Sequence, residues 1–298
     1  MINTKKILIF IFIACQSIYS FTKENIQITE INDFFTQITN AKSDKEKEEI
    51  NEQLITYLIN FLQKAQSFDV NYDSVTKLSV LKSDDKKLNV YTWNLYYSDA
   101  SFKYFGFLQY KTKDKILVYT LSDKKYNYDD DLEAGISRKF NSNMEWYGAI
   151  YYELITKKYN SKTYYTLIGW DGADLFINRK VVEVLEFNRY NLPIFGNKKF
   201  KTSDGILDRL VFEFAERAVM ILRYNAKQDM IIMDHLSPSE ERFRGNPVYY
   251  GPDYTYNGLV FENGKWILKP EIDYKIAIPY KENKDVNKMK KERENANK

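Results

Sequence analysis

"LNVYTWNLYYSDASFKYFGFLQYKTKDKILVYTLSD", residues 88–123, decides the fold class. Three runs, LNVYTWNLYY (88–97), FKYFGFLQYK (102–111) and KILVYTLSD (115–123), are rich in Val, Ile, Tyr, Phe, Trp and Thr. Small polar turn sequences, Ser-Asp-Ala-Ser and Lys-Asp, separate them. β-branched and aromatic side chains suit a pleated surface, so short runs at this spacing read as antiparallel hairpins.

The pattern continues downstream. AIYYELITKKYNSKTYYTLIGWDG (149–172) reads as a hairpin turning near Asn160-Ser161. RLVFEFAERAVMILRYNAKQDMIIMDHL (209–236) reads as two or three strands, and YNGLVFENGKWIL (256–268) as a closing hairpin. Asn263-Gly264 is the dipeptide that a type I′ turn favours, because both of its central residues need positive φ. DLFINRKVVEVLEF (174–187) fits a short helix and a strand equally well. The bland use of the 25 tyrosines is sheet packing, since aromatic rings pair across strands.

Upstream the period lengthens. In SDKEKEEINEQLITYLINFLQKAQ (43–66), Ser43 and Glu46 form a capping-box pair ahead of Ile50, Leu54, Leu58, Phe61, Leu62 and Ala65. That stripe, at spacings of three and four, predicts an amphipathic helix lying on the sheet that follows. A weaker helix is expected over 28–38. The expected fold is α+β and mainly β: a helical segment over 21–70, packed on antiparallel β-meander sheets over 71–280.

The two ends differ in kind. Lys5 and Lys6 precede an unbroken apolar run, Ile7 to Ala14, followed by small or neutral residues. The run is shorter than the about 20 residues that cross a bilayer as a helix. It has the layout of a secretory signal peptide over 1–20, cleaved after Ser20. The rival is lipidation, because Phe12-Ile13-Ala14-Cys15 resembles a lipobox and would make Cys15 an acylated anchor. No second long apolar stretch follows, so no transmembrane span is expected.

The whole chain carries +3; residues 1–20 hold two lysines and no acid, and 281–298 hold seven Lys/Arg against four Asp/Glu, which leaves −2 on the stretch between. The basic character belongs to the ends, and 281–298 reads as a charged, disordered tail. A nucleic-acid partner is not expected, because that needs clustered Lys/Arg on the fold itself.

Cys15 is the single cysteine and His235 the single histidine. Cleavage after Ser20 would leave neither a disulfide nor a thiolate nucleophile. A zinc site of the His-Glu-x-x-His type is excluded, and phosphate-binding glycine loops and a Gly-x-Ser-x-Gly elbow are absent from the sequence. No cofactor is expected. A metal would have to be calcium, with Asp171 and Asp174 around Gly172 as candidates, but their spacing is wrong for an EF-hand and suits a turn. The acidic run NYDDDLEAG (127–135) reads as a solvated loop.

Chemistry concentrates in MDHLSPSEERFRGNPVYYGPDYTYNG (233–258), where Asp, His and Ser stand almost side by side. A triad does not follow. On a strand, Asp234 and His235 point to opposite faces, so any partner of His235 comes from a distant segment. Ser237, Pro238 and Glu240 spell a helix start, with Ser237 as N-cap. Carboxylates for glycoside hydrolysis are available in Asp171, Glu183, Glu213 and Glu216, but their pairing is not legible. Tyr249, Tyr250, Tyr254 and Tyr256 sit among Gly251, Pro252 and Asn257 and suggest an aromatic binding loop.

This stretch, with YYTLIGWDGADLFINRKVVEVLEFN upstream, resembles a group of uncharacterised exported proteins of Bacteroidetes-type bacteria over roughly residues 75–270. The resemblance implies export and transfers no activity. The expectation is therefore an exported module, periplasmic or secreted, or else anchored at Cys15. It would bind a protein partner or a glycan without catalysis. The alternative is a hydrolase using His235 or a carboxylate pair. Mass spectrometry of the mature N-terminus should find Phe21 first; an acylated Cys15 would establish the lipoprotein instead.

Overall fold

The computed structural model describes residues 27–122 and 146–274. The proposed signal segment with Cys15, the run 127–135 and the tail 281–298 lie outside the described residues.

Helix α1 covers 27–40 and α2 covers Asp44–Leu62. Ser43 caps α2: the Glu46 N–H donates to Ser43 Oγ at 3.2 Å, while Glu46 Oε2 accepts from the Lys42 N–H at 2.7 Å. Leu54, Leu58, Phe61 and Leu62 are buried with Ile31 and Phe35 of α1. Ala65 falls outside the stripe, exposed at the start of a 3-10 turn, Ala65–Asp69.

Fifteen strands follow among the described residues: β1 (Ser79–Lys82), β2 (Leu88–Tyr96), β3 (Phe102–Lys111), β4 (Ile116–Ser122), β5 (Ile150–Tyr159), β6 (Lys162–Asp171), β7 (Ile177–Phe187), β8 (Pro193–Phe195), β9 (Phe200–Thr202), β10 (Gly205–Leu207), β11 (Arg209–Ala215), β12 (Leu222–Asn225), β13 (Met230–Pro238), β14 (Tyr250–Glu262) and β15 (Lys265–Lys269). They form three sheets, ordered β1-β2-β3-β4, β11-β7-β6-β5 with β8 also on β7, and β10-β9-β15-β14-β13-β12. Among the described residues every strand pairing is antiparallel except that of β15 with β9. The chain is mainly β with helices on one side, as the periodicity implies. Among the described residues no helix is long and apolar enough to cross a membrane.

The elements stack in layers. The helices pack on the first sheet through Tyr91, Trp93 and Phe107. The other face of that sheet, with Leu88, Val90, Tyr104 and Leu108, meets Tyr151, Leu167, Val181 and Leu185 of the second. The opposite face of the second sheet, with Ile168, Val182, Val184 and Leu210, meets Ile231, Met233, Leu259 and Trp266 of the third. Amphipathic side chains bond across each boundary. Trp93 Nε1 donates to Asn51 Oδ1 at 2.7 Å, Tyr104 Oη to Asp171 Oδ1 at 2.9 Å, and Trp266 Nε1 to Thr166 Oγ1 at 2.8 Å.

The turns follow sequence chemistry. Asn160 and Ser161 take φ of 47° and 61°, and Asn263 and Gly264 take 51° and 77°. The ambiguous segment 174–187 resolves as strand β7. It is covered on both faces, and six consecutive residues, Val181 to Glu186, are buried. A strand covered twice loses the alternation that would distinguish it from a helix.

Glu183 and Arg209 are fully buried in this middle layer, with Arg209 Nη2 2.6 Å from Glu183 Oε2. Burial holds the Glu183 carboxyl above its ordinary range, and Arg209 offsets only part of that rise. Tyr151 Oη donates to Glu183 Oε1, and Trp146 Nε1 donates to Tyr151 Oη at 2.8 Å. Removing one partner of a buried ion pair costs about 3–5 kcal/mol, whereas replacing both with apolar groups is often neutral. Arg209→Met should lower the urea-unfolding free energy by about 3–5 kcal/mol. The double variant Glu183→Leu/Arg209→Met should recover most of that loss. A single variant as stable as the parent would show that the pair is not a structural requirement.

Candidate functional site

A cleft of about 460 Å³ opens where the second and third sheets part. The strand ladders determine what faces it. Ile231 pairs with Leu259 and Met233 with Asn257, and Ile231, Met233 and Leu259 belong to the core between the sheets. Alternation carries His235 onto the same side, beyond the packed core. Leu210 and Phe212 of β11 form part of the opposing wall, and Thr202, Asp204 and Leu207 of the β9–β10 hairpin also line the cleft.

The ladder between β13 and β14 is interrupted beside His235. Asp234 pairs with Tyr256 and Leu236 with Pro252, so Asp253, Tyr254 and Thr255 stand opposite a single residue. A bulge of this kind re-aims side chains. Here it brings Asp253 Oδ2 to 2.6 Å from His235 Nδ1. Asp253 Oδ1 accepts from the Thr255 N–H at 3.1 Å and from Thr255 Oγ1 at 2.7 Å. Partial burial pushes the Asp253 carboxyl up, but the bonds from Thr255 and His235 outweigh it and hold the group below its ordinary range. An ionised Asp253 accepts only, so Nδ1 carries the proton. Nε2 remains as the second polar atom of a ring that lines the cleft and is 48 % exposed.

Asp234 and His235 do not bond each other. Asp234 is 5 % exposed, and its Oδ2 accepts from the Ile221 N–H at 2.6 Å. Burial pushes its carboxyl up, with Asp253 adding to the rise and the Ile221 N–H and Lys180 opposing it.

The helix start at Ser237 is corrected. Ser237 pairs with Gly251 and Pro238 with Tyr250, so the strand runs through the signature. The short 3-10 turn begins at Glu241 and has no side-chain cap. Cross-strand bonds satisfy more backbone than one capped turn could, and they win.

The expected aromatic loop is likewise mostly strand. Tyr250, Tyr254 and Tyr256 lie within β14, and Tyr249 ends a 3-10 turn, Pro247–Tyr249. The four rings have different surroundings. Tyr249 stacks on Phe243 at 3.9 Å, and Tyr256 meets Tyr274 edge-on at 5.6 Å. Tyr250 is 7 % exposed, lines the cleft and accepts from the Gly245 N–H at 3.0 Å, while Tyr254 is 89 % exposed.

The calcium candidates are used structurally. Asp171 is buried, accepts from Tyr104 and from Tyr147 Oη at 3.0 Å, and lies 3.5 Å from Arg179. Asp174 Oδ1 accepts from the N–H groups of Phe176 and Ile177 at 2.7 and 3.0 Å, as a turn residue does. Among the described residues no group of three or more His, Cys, Asp or Glu could hold a metal ion. Of the other carboxylates, Glu183 is in the core and Glu216 is exposed. Glu213 lies 2.6 Å from Arg179 at the edge of the cleft.

Sequence reading missed Asp253, Thr255 and Asn257. A signal was present: Gly251 and Pro252 inside a strand mark a bulge, and Asp-x-Thr is a local turn former. Comparison of the chain with protein-family models, with curated proteins and with solved structures found no match.

His235 contributes the only imidazole spin system, so its tautomer can be read directly by long-range ¹H–¹⁵N NMR. The parent should show a protonated Nδ1, and Asp253→Ala should lose that preference. The carboxylate held low stabilises the fold above its unfolded pKa, about 3.9, and this contribution should fade as pH falls below it. An unchanged tautomer in the variant would show that Asp253 does not orient the ring.

Proposed function

We propose that the chain is an exported binding module whose cleft takes a glycan. The observation that carries this reading is the imidazole of His235, held by Asp253 in an open cleft of ligand size. Small-ligand sites combine apolar walls with a few placed polar groups, and this cleft follows that pattern. Leu207, Leu210, Phe212, Met233, Leu236 and Leu268 supply apolar surface, while His235, Asp253, Thr255 and Asn257 supply hydrogen-bonding groups. Asp204 and Glu271 add acceptors, and the lining includes neither lysine nor arginine. Such a lining favours a ligand rich in hydroxyl donors over an anion. Export is supported by the signal-like residues 1–20 and by the resemblance to exported proteins.

A hydrolase is the second reading, favoured by the same dyad, since an imidazole oriented by a carboxylate can act as a general base. Binding is preferred because Thr255 Oγ1, the hydroxyl beside the dyad, already donates to Asp253.

A glycan array probed with the mature chain should show binding. His235→Ala and Asp253→Ala should each weaken it about tenfold or more, as expected when a charge-assisted hydrogen bond is lost. An array with no bound glycan would sink the reading. Release of new reducing ends from a bound glycan would transfer the site to the hydrolase.

A further inference from the structure

A second pocket, of about 240 Å³, adjoins the cleft, and the two share Tyr250 as a wall. Met233 and His235 face the gap between the second and third sheets. Alternation carries Ser237 to the same side, two residues or about 7 Å beyond His235. Ser237 lines the second pocket with its ladder partner Gly251 and with Ala218, from the loop 216–221 between β11 and β12. The pocket therefore continues the gap that forms the cleft.

Its chemistry is different. The cleft lining carries acidic groups and no basic side chain, whereas Arg217 lines the pocket and no carboxylate does. Arg217 is exposed and has no ion-pair or hydrogen-bond partner among the described residues. The other described arginines are all engaged. Arg179, Arg209, Arg242 and Arg244 meet carboxylates, Arg189 lies over the Tyr190 ring, and Arg223 donates to Tyr274 Oη. Two hydroxyls accompany the guanidinium. Ser237 is held by its backbone pairing with Gly251, and the Ser239 N–H donates to the Tyr249 carbonyl at 2.9 Å. Neither serine side chain has a partner among the described residues, so both hydroxyls are available as donors. Gly251 leaves the space beside them open. A Cβ at that position would stand 3.6 Å from the Ala218 Cβ, an ordinary contact, and a larger side chain would fill the pocket. A planar guanidinium flanked by hydroxyl donors matches the oxygens of a single anionic group.

We propose that this pocket receives the anionic group of an acidic glycan whose hydroxyl-rich part lies in the cleft. Arg217 pairs with a singly charged oxyanion, a uronic carboxylate or a sulfate ester, and Ser237 and Ser239 donate to it. The proposal rests on the cleft being a glycan site and adds that the glycan is acidic.

An array of matched neutral, uronic and sulfated oligosaccharides, probed with the full mature chain, tests it. The parent should bind an acidic series about tenfold or more tightly than its neutral counterpart, the margin a charge-assisted hydrogen bond provides. The uronic and sulfated arms identify the anion. Arg217→Gln should remove the preference, leave binding of the neutral members unchanged and melt with the parent, because the fold gives Arg217 no partner. Gly251→Val, which fills the pocket and spares the cleft, should also remove the preference. A parent that binds neutral and acidic members equally overturns the proposal and leaves the cleft reading intact. An Arg217→Gln variant that keeps the acidic preference does the same. A parent that binds no glycan removes the cleft reading, and the proposal falls with it.

Discussion

Because β6 and β7 are covered by the first sheet on one face and by the third on the other, the polar groups they bury must find their partners inside the protein. Glu183 meets Arg209 and Tyr151, Asp171 meets Tyr104 and Tyr147, and Thr166 meets Trp266. The partners of Asp171 and Thr166 include residues of the adjoining sheets, Tyr104 in one case and Trp266 in the other. Satisfying the middle layer therefore also ties it to its neighbours. Tyrosine and tryptophan suit this task, because each buries a large apolar body and still carries one polar atom to place.

The cleft is a consequence of the same stacking. The second and third sheets stay in contact along Val182, Val184, Ile231 and Leu259, and beyond that packed zone a gap remains between β11 and the β13–β14 pair. Side chains that would be core a few residues earlier become cleft lining there. Met233 is still buried, and His235, two residues on, is half-exposed. The bulge in β14 then supplies what regular pairing could not, a carboxylate aimed at the ring from the adjacent strand.

Some features were legible in the chain because their causes are local. The capping Ser43, the turns at Asn160-Ser161 and Asn263-Gly264, and the hairpins of the first sheet follow from backbone preferences and alternation within a few residues. The separation of Asp234 from His235 followed from alternation alone, and the structure agrees. The errors have the opposite origin. Ser237 and Pro238 carry a sound local signal for a helix, yet Gly251 and Tyr250 offer them a ladder. Segment 174–187 lost its period because two layers cover it, and no residue within it records how many layers there will be.

Composition and periodicity settled that the chain is mainly β with helices at its N-terminal side, because hydrophobic spacing is written residue by residue. They also settled that His235 could not draw its partner from Asp234. Which residue would face it was decided only when β14 folded back on β13, because a contact between residues 235 and 253 depends on strand register and on a bulge. The cleft likewise depends on how far two sheets stay together, a property of their joint packing that neither strand pattern contains.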